Sequence, residues 1–306
     1  MDSIIQDIKN QFEHGSMVTR LVLVNIFVYI ADNILHLLFF LISLPYVYDS
    51  VMKWFMVTAS LREIIFKPWS LVTYIFLHDG IWHLAFNMLT FWIFGQILYN
   101  YLGNRKILPI FIYGGIVGAL ICILMFNVLP ALQPFLHVPM LGASAGVMAI
   151  VLAAATLQPN HQISLILLGP VRIKYIALAF ILLDLTTIAK DNPGGHIAHL
   201  GGAIFGYYFI NQLQRGNDLS IPFNNFVEKV LLFIKGLFNK HSLRVNKNPK
   251  YVYPNSAKQQ NAAPPNSSKS ASDQERLDYI LEKIASVGYE NLSREEKEFL
   301  FKMSKD

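Results

Sequence analysis

Charge is scarce in this chain. Only 15% of its 306 residues are Asp, Glu, Lys or Arg, against about 25% in an average soluble domain. That shortage argues against a water-soluble fold and makes a membrane protein the first expectation. Cysteine is scarcer still. Cys122 is alone, so no internal disulfide is available, and its apolar setting suits a small packing residue better than a thiolate. No small-residue cleavage site follows the first apolar run, so that run is expected to be retained as a span. Interleaved basic and aromatic runs are missing too, which excludes a nucleic-acid surface. The net charge of +5 fits Lys and Arg held on the cytoplasmic side of a membrane.

What the chain does have is apolar sequence, 54% of it, with a mean hydropathy of +0.40. A spanning helix needs roughly 20 apolar residues. Six stretches are read as spans: Thr19 to Ser43, Ile81 to Leu102, Ile107 to Val128, Leu141 to Leu157, Tyr175 to Ile188 and His196 to Ile210. Leu44 to His78 is mixed and reads as a long loop with surface-lying helix. The short loop Leu129 to Met140 has three prolines and no Lys or Arg. Arg105, Lys106, Arg172, Lys174 and the lysines of the tail fall on one side. That places both termini in the cytoplasm. Lys53, Arg62 and Lys67 fall on the other side, in a long loop where the rule is weak.

The expected organisation is a cytoplasmic segment (1–18), a six-span core (19–213), a juxtamembrane amphipathic segment (214–250), a disordered linker (251–272) and a small helical module (273–306). The linker reads as disordered because Asn, Pro, Ser, Gln and Ala dominate it. In the module, Leu277, Ile280, Leu281 and Ile284 recur at helical spacing, and Ser293 with Glu296 fits a capping box. The module carries no recognisable chemistry and is expected to bind an unknown cytoplasmic partner. The fold class is all-α, a polytopic membrane helical bundle with a short helical tail.

Polar groups are costly in a bilayer and call for a reason. Gly142-Ala143-Ser144-Ala145-Gly146 opens the short fourth span. Gly142 and Gly146 make a helix-packing GxxxG pair. Alone, such a motif is more often packing than catalysis. A serine at a helix N-terminus, however, lies beside unpaired N–H donors that can hold an oxyanion. His199, near the start of the sixth span, has Gly202 and Gly206 on its own helix face. That face can press against the small-residue fourth span and bring an imidazole to Ser144 as general base. His83 and Asn87 are four apart, hence on one face. Both can donate hydrogen bonds, either to an oxyanion or as glue between helices. Asp184 would complete a Ser-His-Asp triad, although a helix cap or structural hydrogen bond is the favoured role. Asp32, His36 and His196 receive no role.

HxxxN in one span, GxSxG opening a short later span and AHxxGxxxG in the last, in that order, resemble the rhomboid intramembrane proteases over roughly residues 15 to 213. The resemblance implies a six-span fold with Ser144 as nucleophile and His199 as base and then acid. It implies an oxyanion site made by His83, Asn87 and the Ser144 N–H. The family works as a dyad, which counts against Asp184, and needs no metal or cofactor. Its substrates are membrane proteins, typically single-span, cut where the transmembrane helix is unstable. Two departures stand out. Many members carry an aromatic four positions after the serine, where this chain has Met148. Many bacterial members have Trp-Arg in the first loop, where Trp69 is followed by Ser70. The rhomboid core with a helical tail suggests a bacterial inner membrane.

The competing readings are a rhomboid-like pseudoprotease that binds membrane proteins without cutting them, and a helical transporter. Both the serine and the histidine are present, which disfavours the first. No internal repeat is evident, which disfavours the second. HExxH is absent, and no two spans carry the paired YD and GxGD motifs, which excludes zinc-dependent and aspartyl intramembrane proteases.

Overall fold

A computed structural model describes residues 2–165 and 169–238, and isolated positions between 276 and 299. The chain divides into two compact units, Met1–Ser242 and Leu243–Asp306.

Among the described residues the first unit holds eleven α-helices, besides two short 3-10 helices at Tyr74–Phe76 and Pro130–Phe135: α1 (Asp2–His14), α2 (Met17–Leu41), α3 (Pro45–Met52), α4 (Leu61–Phe66), α5 (Ser70–Thr73), α6 (Ile81–Leu102), α7 (Asn104–Val128), α8 (Ser144–Leu157), α9 (Ile173–Thr187), α10 (Pro193–Gln214) and α11 (Ser220–Phe238). Local chemistry sets the boundaries. Ser16 caps α2 by accepting from the Thr19 N–H at 3.1 Å. Gly103, at φ 71, breaks α6 from α7. The Asn192 side chain accepts from the Gly195 N–H at 3.1 Å and starts α10, with Pro193 in its first turn. All six predicted spans are helical, with ends displaced by a few residues.

Length and composition separate these helices. Among the described residues, α2, α6 and α7 are long and apolar enough to cross a membrane unaided. At 1.5 Å per residue they exceed the roughly 30 Å of hydrocarbon. This is three helices where six such spans were expected. The 14-residue α8 and 15-residue α9 are too short at that rise. The 22-residue α10 is diluted by glycine, histidine and asparagine. These three depend on the longer helices around them.

Their packing shows how. α8 is buried along most of its length, from Ala145 to Ala155. Its alanines and Gly146, with Gly202 and Gly206 of α10, let α7 and α10 approach closely, the usual means of helix association where lipid removes the hydrophobic drive. Phe27, Ile30 and Phe40 of α2, Phe86, Leu89 and Trp92 of α6, and Leu178 and Leu182 of α9 face outward and exposed. So much apolar surface suits lipid and not water.

The two ends of the bundle differ. At one end the Met17 N–H donates to Asn104 at 2.7 Å. There Lys106 also pairs with Asp218 and donates to Ser220 Oγ. At the other end, Val57 and Met140 exchange backbone hydrogen bonds. Asn127 donates to the Ala59 carbonyl at 2.9 Å, and His137 donates to Glu63 at 2.8 Å. The loop holding α3 to α5 is thereby tied to the 129–140 loop.

One feature departs from the all-helical expectation. Gln162–Leu165 and Gly169–Arg172 pair as an antiparallel hairpin. Residues 162–165 of that region are strand, and the return strand opens at Gly169 with φ 69. Asp32, left without a role, accepts from the Tyr48 hydroxyl at 2.9 Å. His36 stacks on the same tyrosine. Both residues therefore fasten α2 to α3.

In the second unit, positions 276, 277, 279, 280, 283, 295, 296 and 299 are helical. The Ser293 N–H donates to the Glu296 carboxylate at 2.7 Å, and the Glu296 N–H donates to Ser293 Oγ at 3.3 Å. This is the reciprocal capping box. Lys283 pairs with Glu296 at 2.7 Å. The linker expected at 251–272 lies outside the described residues.

Candidate active site

Four helix ends meet at one end of the bundle. α6, α8 and α10 begin there and α9 finishes there, which brings His83, Ser144, His199 and Asp184 together. They line one cavity of about 360 Å³, with Asn87 and Thr90 of α6 and an apolar wall of Phe86, Val147, Met148, Phe180 and Leu183.

Ser144 is the first residue of α8. The first backbone bond of that helix runs from Val147 N–H to Ala143 O at 2.9 Å, so the N–H groups of Ser144 to Gly146 have no acceptor within it. Gly142 makes the entry. Its φ is +132, a conformation costly for any residue with a Cβ. A Cβ there would also meet His83 Nε2 at 3.0 Å, with Ser144 Oγ at 3.6 Å. The Cε1–Nε2 edge of His83 and the Ser144 hydroxyl therefore both flank Gly142. Gly146 faces elsewhere, against the Phe111 backbone of α7.

His199 is held from behind. Its Nδ1–H donates to Asp184 Oδ1 at 2.9 Å, and His196 Nδ1–H donates to the same oxygen at 2.7 Å. Asp184 is buried, so two charge-assisted hydrogen bonds compensate its lost hydration. With the proton on Nδ1, the neutral His199 ring keeps a lone pair on Nε2. The separations suit shared hydrogen bonds. Nitrogen and oxygen ligands about a tetrahedral zinc stand wider, about 3.3 Å apart given bonds near 2.0 Å. At rest Ser144 and His199 share the cavity without a direct hydrogen bond, as is common before substrate tightens such a site.

Gly202 and Gly206 lie where α10 crosses α8. A Cβ on Gly202 would meet the Ala145 carbonyl oxygen at 1.9 Å, and one on Gly206 the Ala149 oxygen at 2.0 Å. Asn87 donates to the His83 carbonyl of its own helix at 2.9 Å, which leaves one amide hydrogen for the cavity.

Residues 66–215 match the Rhomboid domain family. The chain belongs to the rhomboid family. Residues 266–306 match a family of unknown function, DUF6576. Among curated proteins, the chain is similar to the mitochondrial presenilin-associated rhomboid-like protein A of Danio rerio, 29% identical over 138 residues, which is 44% of this chain and 35% of the relative. It is also similar to the mitochondrial presenilin-associated rhomboid-like protein of Homo sapiens, 26% identical over 189 residues, 59% of this chain and 46% of the relative. The matched stretch thus spans less than half of these relatives. Their names place those proteins in mitochondria and lend no support to a bacterial inner membrane. This rhomboid chain is a membrane protein by its domain and its apolar helices.

Sequence reasoning passed over two residues at the site. His196 was left without a role and shares Asp184 with His199. Asp79, whose exposed carboxylate accepts from His83 Nδ1–H at 2.7 Å, was not considered. Its four-residue spacing from His83 was the available signal.

Proposed function

We propose that this chain is an intramembrane serine endopeptidase that cuts transmembrane proteins. The observation that carries the proposal is the convergence of Ser144, at a helix N-terminus, with His199 and His83 on one cavity. Ser144 Oγ attacks the scissile carbonyl carbon while His199 Nε2 takes its proton. The tetrahedral oxyanion is held by the Ser144 N–H, His83 and the free amide hydrogen of Asn87. His199 then protonates the departing amine. Water, activated by the same nitrogen, releases the acyl group. Asp184 acts through His199 as a positioning residue, setting its tautomer and ring angle. No step calls for a metal or organic cofactor.

The geometry suits a single-span substrate whose helix unwinds near the outer end of the bundle. The ends of the helical core that carry Arg105, Lys106 and Arg215 face the cytoplasm or its organellar equivalent, and the tail is a docking module for an unknown partner.

The test is covalent labelling of the detergent-purified protein by a fluorophosphonate probe, beside Ser144→Ala and His199→Ala. Labelling of the parent that is lost in both variants supports an activated serine. A folded parent that neither labels nor cleaves a reporter transmembrane substrate overturns the proposal in favour of a binding protein.

A further inference from the structure

Two carboxylates grip two histidines in this cavity by the same atom, yet the two rings have opposite duties. Asp184 accepts from Nδ1–H of His199. Asp79 accepts from Nδ1–H of His83. An ionised carboxylate can only accept, so Nδ1 must be the donor in each pair. In a neutral ring that leaves Nε2 as a lone pair. For His199 this is the form a general base needs. For His83 it is the wrong form, because a lone pair facing the scissile oxygen repels an oxyanion instead of binding it. The Cε1–Nε2 edge of His83, opposite the bond to Asp79, is the one that faces Gly142, and Ser144 Oγ flanks the same glycine.

We infer that His83 works as an imidazolium, protonated on both nitrogens, with Asp79 as the positioning residue that holds and neutralises it. This rests on the proteolytic reading of the same cavity. Nε2–H is then a charged donor, stronger than a neutral one. Its positive charge develops no new cost in the transition state, since the Asp79 carboxylate already balances it.

The surroundings permit the extra proton. The titratable groups around His83 are Asp79 and His78 from the turn before α6, and Asp184 of α9 and His199 of α10 across the cavity. His78 packs edge-to-face on His83 with ring centres 5.2 Å apart. Burial, and then the nearness of His83, push His78 down to about 4, so a neutral ring and not a second cation stands there. Asp184 is committed to His196 and His199. Asp79 is exposed and lies outside the helix, so its replacement leaves the fold intact.

The proposal predicts a division of the pH profile. The acidic limb of kcat/KM belongs to His199, which must be neutral. The alkaline limb belongs to the second proton of His83. Asp79→Asn should move only the alkaline limb, toward lower pH, and lower kcat/KM above neutrality by about tenfold or more with KM little changed. Asp79→Glu should restore much of the loss. His83→Gln, whose amide donates without a second proton, should lose the alkaline limb and make the chain insensitive to Asp79→Asn.

The deciding experiment pairs that profile with NMR of ¹⁵N-histidine in the full detergent-solubilised chain, the His83 signals being assigned by their loss in His83→Gln. Both His83 nitrogens should carry protons in the active pH range, and Nε2 should lose its proton in Asp79→Asn. A parent ring with bare Nε2 throughout the active range overturns the inference. So does an alkaline limb that Asp79→Asn fails to move. If the parent shows no Ser144-dependent cleavage, the proteolytic reading fails by itself, and the ring measurement still decides the protonation of His83.

Discussion

Gly202→Ala is the sharpest perturbation this structure offers. A Cβ on Gly202 would sit 1.9 Å from the Ala145 carbonyl oxygen, whereas real Cβ contacts essentially never fall below 3.0 Å. Relief needs about 1.1 Å of separation between α10 and α8 there. The obstacle is backbone within a helix, so no rotamer change provides it. Overpacking of this kind costs about 1–3 kcal/mol. The catalytic cost falls in the same range. Ala145 follows Ser144 directly and Gly202 lies one turn beyond His199, so the separation falls between nucleophile and base. A misplacement near 1 Å costs roughly 10²-fold in rate. The assay is the kcat for cleavage of a reporter transmembrane substrate, with Tm recorded on the same preparation. The expected result is a loss of about 10²-fold from a protein that still folds. Ala145→Gly should not rescue it, because the obstructing atom is the carbonyl. Gly114→Ala is the contrasting control. Its Cβ would meet the Ala149 Cβ at 2.2 Å, so Ala149→Gly should rescue it. A Gly202→Ala protein with parental Tm and kcat would refute the claim that α10 and α8 are in backbone contact at the catalytic pair.

Asp184→Asn should lower kcat by at least about 10²-fold with KM little changed, since the amide can stabilise the wrong His199 tautomer; equal kcat in the two proteins would remove Asp184 from the mechanism. His196→Phe should have a smaller effect, because it leaves the Asp184–His199 bond in place, and kinetics in parallel with Asp184→Asn would check the order. Asp218 is subject to burial, which alone would raise it, but its hydrogen bonds from Lys106 and Ser220 hold it below the usual carboxylate range. Its contribution to stability is therefore present above the ordinary carboxylate value and lost as pH falls through the lower folded value; Asp218→Asn should lower Tm at neutral pH and flatten the Tm profile in that acidic window. Truncation after Phe238 should spare Tm, whereas truncation after Gly216 should lower it by removing both partners of Lys106. An unchanged Tm in the shorter chain would make that contact dispensable.

The helices were legible because each is written in local terms. An apolar run of about 20 residues must satisfy its own backbone in lipid and is therefore helical, which is why 81–102 and 107–128 read correctly. The short helices were harder. Nothing local says that 14 residues from Ser144 are a helix held at depth by its neighbours rather than a span in their own right. The hairpin at 162–172 was missed because a six-residue apolar run has no period that separates strand from helix. Asp32 was opaque because its partner, Tyr48, belongs to a loop helix that packs back on α2.

By itself the sequence determined that the chain is a membrane-embedded helical protein of rhomboid type, since scarcity of charge, apolar runs and the order of three motifs are all one-dimensional properties. Only the tertiary structure decided which carboxylate serves which histidine. Asp184 and His199 stand on different helices, and their pairing depends on where α9 ends relative to the start of α10. Asp79 and His83 are neighbours in the chain, but their bond acquires meaning only because Gly142 delivers Ser144 to the opposite edge of the same ring. A hydrogen bond on one nitrogen of an imidazole dictates what the other can do, and which nitrogen faces the serine is a matter of packing.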